Sequence, residues 1–303
     1  MCGRRADPKY SGVLPVMKEK GYTSNDVVAK LRGILRMKKI GHTGTLDPEA
    51  TGVLPVCLGK ATKLAGYLTD TDKTYRCIMR LGITTDTEDM SGKVTGGSDC
   101  RDLSDDEIRE ALHSFVGEYD QIPPMYSAKK VNGKKLYELA REGIEIERKP
   151  SRVFIRSITD ISVSEDSEAK RANFTVECSK GTYIRSLCRD AGEKIGCGSA
   201  MDELIRTRAC GIDIDDCLTL SVIEDMVRDG VIEEHILPIE HFFMDCGEMR
   251  ISGQTEKLVR NGNKFKTGSS VSGRYRVYLG DGTFAALYDI DHGEARLCRL
   301  FLE

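Results

Sequence analysis

Apolar residues recur three and four positions apart in five stretches of the chain, which is the spacing that places them on one face of a helix. These stretches lie at residues 24–35, 104–117, 134–143, 182–195 and from 221 onward. Ser24 stands at the start of the first stretch and is predicted to be its N-cap, because a serine hydroxyl accepts a hydrogen bond from the first helical turn. Ser104 with Glu107, and Ser221 with Glu224, have the spacing of capping boxes.

Other stretches alternate apolar and polar residues, as half-buried strands do. They lie at residues 12–16, 75–82, 152–163 and 172–179. From about residue 245 the pattern changes to short strands around turns, with Asp281-Gly282 at one of them. We therefore predict an α+β fold in which residues 1–244 surround a central, mostly antiparallel sheet and residues 245–303 form a small β-rich domain.

Residues 41–55, GHTGTLDPEATGVLP, interrupt these patterns with three glycines and two prolines. Both residue types disfavour regular helices and central strands, so the stretch is predicted to be an irregular loop that presents His42 and Asp47. Pro48 restricts the backbone of Asp47 to extended conformations. A carboxylate fixed in this way is suited to act as a nucleophile at a sugar carbon, as in retaining glycosidases. The alternative is that Asp47 only caps an Asp-Pro turn.

The cysteines and histidines give no sign of a metal site or a disulfide framework. The 303 residues contain eleven cysteines, an odd number, with no CxxC spacing, and the five histidines show no HxxxH pairing. No metal, nucleotide or flavin motif is present, so we expect no cofactor. No signal peptide and no membrane-spanning stretch are recognisable. These features favour a reduced, metal-free cytoplasmic protein.

The net charge of −3 does not indicate a nucleic-acid-binding protein, but the basic residues are clustered. Residues 18–40 hold seven Lys and Arg against two acids, residues 129–152 hold eight against four, and residues 249–276 hold seven against one. A polyanion would meet all three segments if the fold gathers them on one face. The alternative is that each segment is an ordinary solvated surface.

Three further segments carry candidate site residues. In SKGTYIRSLCRDAG, at 179–192, Tyr183 could stack on a base and Arg185 could pair with a carboxylate, although a core tyrosine and a surface arginine would give the same pattern. Tyr75 opens the predicted strand of DKTYRCIMRLG, where an aromatic residue could equally belong to the core. Paired prolines and four lysines with interleaved tyrosines, at about 125–150, suit an RNA-binding insertion, and a solvated helical hairpin would look similar.

In this order, the segments closely resemble the TruB family of bacterial tRNA pseudouridine-55 synthases. GHTGTLDPEATGVLPVCLGKATKLAGYL, at 41–68, is similar to the family's signature block, and VMKEKGYTSNDVVAKLRG, at 16–33, to its first motif. DKTYRCIMRLGITTDTEDMSG, QIPPMYSAKKVNGKKLYELAREG and CSKGTYIRSLCRDAG match the tyrosine motif, the RNA-binding insertion and the tyrosine–arginine motif. The first motif departs from the family in one place, because Lys18 is followed by Glu19 where proline is common.

The resemblance implies a role for each candidate residue in the isomerisation of one uridine. Asp47 becomes the expected nucleophile, whether it attacks the ribose or assists a glycal route, and Arg185 its expected ion-pair partner. Tyr75 is expected to stack on the target base and to help a proton transfer, and His42 to fill space near the flipped nucleotide. The remaining expected contacts are those of Tyr183, Leu204 and Lys18 in or beside the pocket, and of Lys129, Lys130, Lys134 and Lys135 with RNA.

The resemblance also implies the partners and the architecture. The substrate would be the tRNA T-stem loop, bound by a monomer with no obligatory protein partner and no membrane, and residues 245–303 resemble a shortened PUA-like RNA-binding domain. One alternative is a guide-RNA-dependent, dyskerin-type synthase, although such enzymes generally lack the lysine-rich insertion. Another is a tRNA-folding chaperone without catalytic activity. A glycoside hydrolase is disfavoured because no second carboxylate with a suitable pattern accompanies Asp47.

Overall fold

The computed structural model describes residues 9–127, 129–131, 133–167, 169–268 and 270–302. The strands within these residues are β1 (Gly12–Lys18), β2 (Ile40–His42), β3 (Thr51–Leu58), β4 (Lys73–Leu81), β5 (Thr84–Thr85), β6 (Val94–Gly96), β7 (Gly117–Gln121), β8 (Lys130–Val131), β9 (Lys134–Lys135), β10 (Ser151–Glu165), β11 (Lys170–Cys178), β12 (Ser199–Ala209), β13 (Ile212–Asp213), β14 (Gly247–Arg250), β15 (Phe265–Lys266), β16 (Gly273–Tyr278), β17 (Phe284–Asp291) and β18 (Glu294–Leu300).

The α-helices of the same residues are α1 (Ser24–Leu35), α2 (Ala65–Thr69), α3 (Asp105–His113), α4 (Leu136–Arg141), α5 (Ile184–Ile195), α6 (Leu220–Asp229) and α7 (Gly253–Arg260). Short 3-10 helices span Gly59–Leu64, Ile214–Asp216, Ile232–His235 and Ile239–Phe243. No helix in this described part of the chain is both long enough and apolar enough to span a membrane.

The central sheet has the strand order β1-β3-β12-β4-β11-β10-β7, with β2 paired to β3 and β13 paired to β12. Neighbouring strands are antiparallel except β3 and β12, which run parallel over a short register at Thr51 and Ile205. Helices and a mostly antiparallel sheet together confirm the predicted α+β class.

Two groups of helices pack on apolar strand residues in different parts of this sheet. Phe174, Val176 and Cys178 of β11 share a buried face, as their alternation predicted, and pack with residues of α3 and α5. At the other end of the sheet, α1 and α6 bury Leu31 and Ile223 against β1 and β3. The candidate residues described below lie where these two halves of the sheet meet.

A second sheet, of order β14-β16-β17-β18-β15, is formed by the described residues after 246. The turn at Asp281 and Gly282 joins β16 to β17, as the sequence predicted. Leu287 and Phe301 share a buried cluster with Val13 and Val53 of the central sheet, so the β-rich C-terminal part packs directly on the rest of the protein.

The prediction that residues 41–55 exclude a central strand is wrong. Residues from Thr51 onward belong to β3, which lies between β1 and β12. Pro55 is tolerated there because it stands opposite Pro15 of β1, and its carbonyl accepts a hydrogen bond from the Thr43 amide at 3.1 Å. Gly52 has φ = +109°, which permits a close approach to β12 that a side chain would block.

Several predicted helix ends are also shifted. The capping box of α1 uses Thr23 and Asp26, one residue before the predicted N-cap, and α6 is capped by Thr219 rather than by Ser221. The box at Ser104 is confirmed, but α3 ends at His113 and residue 117 already belongs to β7. Residues 134 and 135, predicted as helical, form β9, and α5 begins at Ile184 rather than at 182.

Candidate active site

Asp47 lies on a loop between β2 and β3, and the loop is attached to α1 through Ser24. The Ser24 hydroxyl accepts a hydrogen bond from the Leu46 amide at 2.9 Å and donates one to the Leu46 carbonyl at 3.3 Å. Both residues are buried, with Ser24 only 1% exposed. Ser24 therefore fixes the backbone directly beside Asp47, instead of capping its own helix.

Lys18, at the end of β1, supports the other side of the same loop. Its ammonium group donates to the carbonyls of Ala50 at 2.6 Å, Pro48 at 3.0 Å and Glu19 at 3.1 Å, and the side chain is fully buried. Burial lowers the pKa of Lys18 to about 8, although the neighbouring carboxylates of Asp47 and Glu49 oppose this change. The backbone on both sides of Asp47 is thus fixed by side chains from other elements.

Arg185 projects from the first turn of α5 and forms the expected ion pair with Asp47. Arg185 Nε lies 3.0 Å from Asp47 Oδ2, and Nη2 lies 3.2 Å from Oδ1, so two parallel contacts join the guanidinium to the carboxylate. The arginine side chain is 5% exposed and that of the aspartate 38%. A bidentate pair of this kind restrains both the position and the orientation of the carboxylate.

The remaining donors of Arg185 are also engaged. Nη1 donates to the Thr87 carbonyl at 3.0 Å and lies 3.6 Å from Asp89 Oδ2, while Nη2 donates to the Tyr126 carbonyl at 2.9 Å. Asp89 is a site residue that was not predicted from the sequence. It stands inside the segment that resembles the tyrosine motif, so an acidic residue in that motif was the available signal.

Opposing effects act on the Asp47 carboxyl. Burial raises its pKa above the ordinary value and Asp89 raises it further, whereas the positive charges of Arg185 and Lys18 lower it. Water still reaches more than a third of the side chain, so screening limits the effect of burial. The two cations favour the ionised carboxylate that nucleophilic or electrostatic chemistry requires.

Tyr75 and Leu204 come from adjacent strands, β4 and β12, and share a buried cluster with Leu46 beside Asp47. They are 7% and 8% exposed. Burial raises the pKa of the Tyr75 hydroxyl, and the neighbouring guanidinium of Arg206 opposes that rise. These side chains provide an apolar wall with one phenolic hydroxyl next to the loop.

His42 and Tyr183 complete the set of predicted pocket residues. Burial and the charge of Arg206 lower the pKa of His42, so this imidazole is neutral at pH 7, and its Nδ1 has no hydrogen-bond partner among the described residues. The backbone of Tyr183 is held by the buried Gln121 amide through contacts of 2.8 Å and 2.9 Å. Tyr183 is the N-cap residue of α5 and therefore lies two positions from Arg185.

Arg206 is a second site residue that was not predicted from the sequence. It is 1% exposed in β12, donates to the Val53 carbonyl at 2.8 Å and the Gly44 carbonyl at 3.2 Å, and stands opposite Tyr75 in the pairing of β12 with β4. The signal was present in the sequence, because Arg206 stands two residues after Leu204 and so on the same face of an alternating strand.

The predicted RNA-binding lysines lie in a segment of short elements, β8, β9 and α4. Lys129 donates to the Ser151 hydroxyl, Lys134 pairs with Glu142 at 3.7 Å, and Lys135 lies 5.3 Å from the centre of the Tyr137 ring. The side chain of Lys130 lies outside the part of the chain that the structure describes. Within the described part of the chain, none of Lys129, Lys134 and Lys135 forms a hydrogen bond or an ion pair with the Asp47 loop.

The structure indicates no metal site in the described residues, because no three His, Cys, Asp or Glu side chains there are grouped closely enough to hold an ion. Ten cysteines within those residues are free thiols. The groups available for chemistry at this site are the Asp47 carboxylate, the positively charged side chains of Arg185 and Lys18, the Tyr75 phenol and the neutral imidazole of His42.

Two family models match the chain. The TruB family pseudouridylate synthase N-terminal domain covers residues 32–184, and the tRNA pseudouridylate synthase B C-terminal domain covers residues 185–244. A Clostridium perfringens protein named tRNA pseudouridine synthase B is 42% identical over 97% of this chain and 99% of that relative. A protein of the same name from Bacillus subtilis is 42% identical over 92% of each chain.

Solved structures agree with the fold. An H/ACA ribonucleoprotein bound to a substrate RNA containing 2′-deoxyuridine matches 99% of this chain and 92% of its own chain, with a TM-score of 0.69 and 23% identity. A Cbf5-Nop10-Gar1 complex matches 99% of this chain and 91% of its own, with a TM-score of 0.70 and 24% identity. The two family models agree with the relatives that match nearly the whole length of the chain, and the solved structures share its fold. This chain therefore belongs to the TruB family of pseudouridylate synthases.

Proposed function

We propose that this chain converts uridine 55 in the T loop of tRNA to pseudouridine, as a stand-alone enzyme, with Asp47 as the nucleophile. The observation that carries the proposal is the bidentate Asp47–Arg185 pair beside the pocket wall of Tyr75 and Leu204. The names of relatives that match almost the full length of the chain support tRNA as the substrate. Family membership supports the reaction.

The reaction breaks one bond and forms one bond at the same ribose carbon. The Asp47 carboxylate would attack C1′, and the uracil would leave with the electron pair of the C1′–N1 bond. After the uracil turns, C5 would bond to C1′ and release the carboxylate. The proton on C5 is then lost and N1 gains a proton, so substrate and product are isomers. A glycal route would use the same carboxylate to accept a proton from C2′ and return it.

Each contact in the site supplies one requirement of this chemistry. Arg185 keeps the carboxylate ionised and oriented, and the fixed loop maintains its position, which is how an enzyme gains rate from pre-positioning. Tyr75 would stack on the base and assist proton transfer. The neutral His42, Tyr183 and Leu204 would surround the nucleotide once it is flipped out of the stacked RNA loop.

The other parts of the chain would bind the rest of the tRNA. We propose residues 1–244 as the catalytic domain and residues 245–303 as a PUA-like RNA-binding domain near the acceptor stem. Lysines 129, 130, 134 and 135 of the insertion would contact the T-stem loop. The positive segments at 18–40 and 249–276 would add attraction to the phosphate backbone. The proposed working form is a cytoplasmic monomer that needs no cofactor.

The test uses purified wild-type protein, Asp47→Asn and a matched surface variant, Asp229→Asn, on α6. Each is incubated with an unmodified tRNA transcript without metal, nucleotide or partner protein, and pseudouridine is mapped by carbodiimide-based chemical probing. We expect product at the T-loop uridine with wild type and Asp229→Asn, and none with Asp47→Asn. The substitution Asp47→Asn keeps the size of the side chain but removes the charge that a nucleophile needs.

Two results would contradict the proposal. Product at the same rate with Asp47→Asn would refute the role of Asp47. Tight tRNA binding by wild-type protein with no product would refute stand-alone catalysis and favour the guide-dependent or chaperone alternative, and adding a guide RNA with its partner proteins would then distinguish these two.

A further inference from the structure

Arg206 is a buried cation whose contacts in the described part of the chain are with neutral oxygen atoms. Its Nε donates to the Val53 carbonyl at 2.8 Å and its Nη2 to the Gly44 carbonyl at 3.2 Å, and its positive charge acts on the neighbouring Tyr75. Burying a guanidinium without a carboxylate partner is unfavourable, unless several oriented acceptors replace its lost hydration. This energetic cost indicates that Arg206 has a role beyond packing.

The backbone around Arg206 is arranged to bring those acceptors together. Arg206 stands directly opposite Tyr75 in the β12–β4 pairing and opposite Gly52 in the β12–β3 pairing. A Cβ on Gly52 would lie 2.2 Å from the Arg206 carbonyl oxygen, so only glycine permits this approach of β3 to β12. Arg206 therefore stands next to Tyr75 in the sheet, and its hydrogen bond to the Gly44 carbonyl joins it to the Asp47 loop.

We propose that Arg206 is a positioning residue that fixes the Asp47 loop, through Gly44, beside Tyr75 for the proton-transfer step. This inference rests on the proposed function, since it assigns Tyr75 a part in that step. The guanidinium has donors pointing in several fixed directions, so it can hold the Gly44 and Val53 carbonyls at the same time while its charge lies beside Tyr75. A lysine ammonium at this position keeps the charge but has a single nitrogen atom.

The charge of Arg206 has a second consequence for Tyr75. It opposes the rise in the pKa of Tyr75 that burial causes, so its removal would move the titration of the phenol to higher pH. Other charged or titratable groups face this pair from the surrounding elements: Lys18, His42, Asp47, Lys73, Cys178 and Cys217. These groups are shared by wild type and variants, so a difference between their pH profiles reports on Arg206.

The experiment compares wild type, Arg206→Lys, Arg206→Met and a control, Arg208→Met, whose arginine is two residues along the same strand and 58% exposed. Single-turnover rates on unmodified tRNA would be measured at saturating enzyme from pH 6 to pH 10, with ordinary uridine and with uridine deuterated at C5. Binding to tRNA and thermal unfolding would be measured for each protein. Product formation by the wild type checks the proposed function independently of Arg206.

We expect Arg206→Lys to lower the maximal rate about tenfold with little change in tRNA affinity, because one nitrogen cannot replace both the Nε contact with Val53 and the Nη2 contact with Gly44. The maximal rate should fall further in Arg206→Met, and its increase with pH should move to higher pH. The isotope effect should be larger, because proton removal from C5 becomes slower relative to the other steps. Arg208→Met should match wild type.

The inference is overturned if Arg206→Lys retains the wild-type rate at every pH. It is also overturned if rate and tRNA affinity fall together with no change in the pH profile or the isotope effect, which would make Arg206 a purely structural residue. If Arg206→Met does not fold, Arg206→Lys still gives the decisive comparison.

Discussion

The hydrogen bonds between Ser24 and Leu46 predict that removing one hydroxyl group impairs catalysis 23 positions away in sequence, at Asp47. In Ser24→Ala, the Leu46 amide and carbonyl lose their partner, although both belong to a residue that is only 3% exposed. An unsatisfied buried polar group costs about 1–3 kcal/mol. For a domain of this size, that loss lowers the melting temperature by about 2–4 °C per kcal/mol.

The effect on rate should exceed the effect on stability. Leu46 precedes Asp47, so a loosened backbone moves the carboxylate relative to Arg185, and a misplacement of about 1 Å can cost up to about a hundredfold in rate. We expect the single-turnover rate of Ser24→Ala to fall by about tenfold or more at saturating tRNA, and tRNA affinity to stay nearly constant. Rates from rapid quench and melting curves from circular dichroism would measure both effects.

Thr23→Ala provides the matched control. It removes the N-cap hydroxyl of the same helix, whose contact with the Asp26 amide is 3.1 Å long and exposed, at a cost of about 1 kcal/mol. It leaves the contact between Ser24 and Leu46 in place. If both variants lose the same fraction of activity, or if Ser24→Ala keeps the wild-type rate, the proposed positioning of the Asp47 loop by Ser24 is refuted.

Two further predictions concern the same loop. Gly52→Ala should prevent folding or strongly destabilise the protein, because its Cβ would lie 2.2 Å from the Arg206 carbonyl oxygen. As a control, the Cβ added by Gly66→Ala in α2 meets nothing within 4 Å, so that variant should be neutral or slightly stabilised. Equal melting temperatures of the two variants would contradict the prediction. Lys18 has a folded-state pKa of about 8 against an ordinary 10.5, so the folded state binds fewer protons in that range. The free energy of unfolding of wild type, relative to that of Lys18→Met, should therefore rise by up to about 3 kcal/mol between pH 8 and pH 10.5, as measured by denaturant titration. If this difference does not change with pH, burial does not lower the pKa of Lys18 in this way.

Local patterns predicted part of the fold, since periodicity identified the helices α1, α3, α5 and α6 and the strands β1, β4, β10 and β11, but not the central strands β3 and β12. The errors have local causes. Thr23 and Ser24 can both cap a helix, but only Thr23 has an acidic residue three positions later, at Asp26. Ser221 has that spacing too, yet Thr219 is the observed cap, because the helix begins where the chain leaves β13 and the following 3-10 turn. Capping patterns of this kind restrict a helix end to a few residues without fixing it.

Some residues of the candidate site could be predicted from the sequence and others could not. Asp47 and Arg185 were predicted because each stands in a contiguous segment that resembles a known motif. Asp89 and Arg206 were missed because their importance depends on contacts with residues about 100 and 160 positions away in the chain. Long-range pairing of this kind is decided by strand order and register, which a single sequence does not specify.

The site also explains how a loop rich in glycine and proline can hold a carboxylate in a fixed position. Such a loop forms few hydrogen bonds of its own, so its conformation must be fixed by groups from outside. Lys18 of β1 binds the carbonyls of Pro48 and Ala50, Arg206 of β12 binds that of Gly44, and Arg185 of α5 binds Asp47 itself.

All three cations therefore act on one short segment, and they reach it from three different elements of the fold. Because each restrains the same loop, the loss of any one allows the segment to move away from the other two. Substitutions of Lys18, Arg185 and Arg206 should consequently be non-additive, with a double variant losing less rate than the product of the two single losses. Independent losses that multiply would mean that each cation performs a separate task, and the view of the loop as one unit held at three points would have to be abandoned.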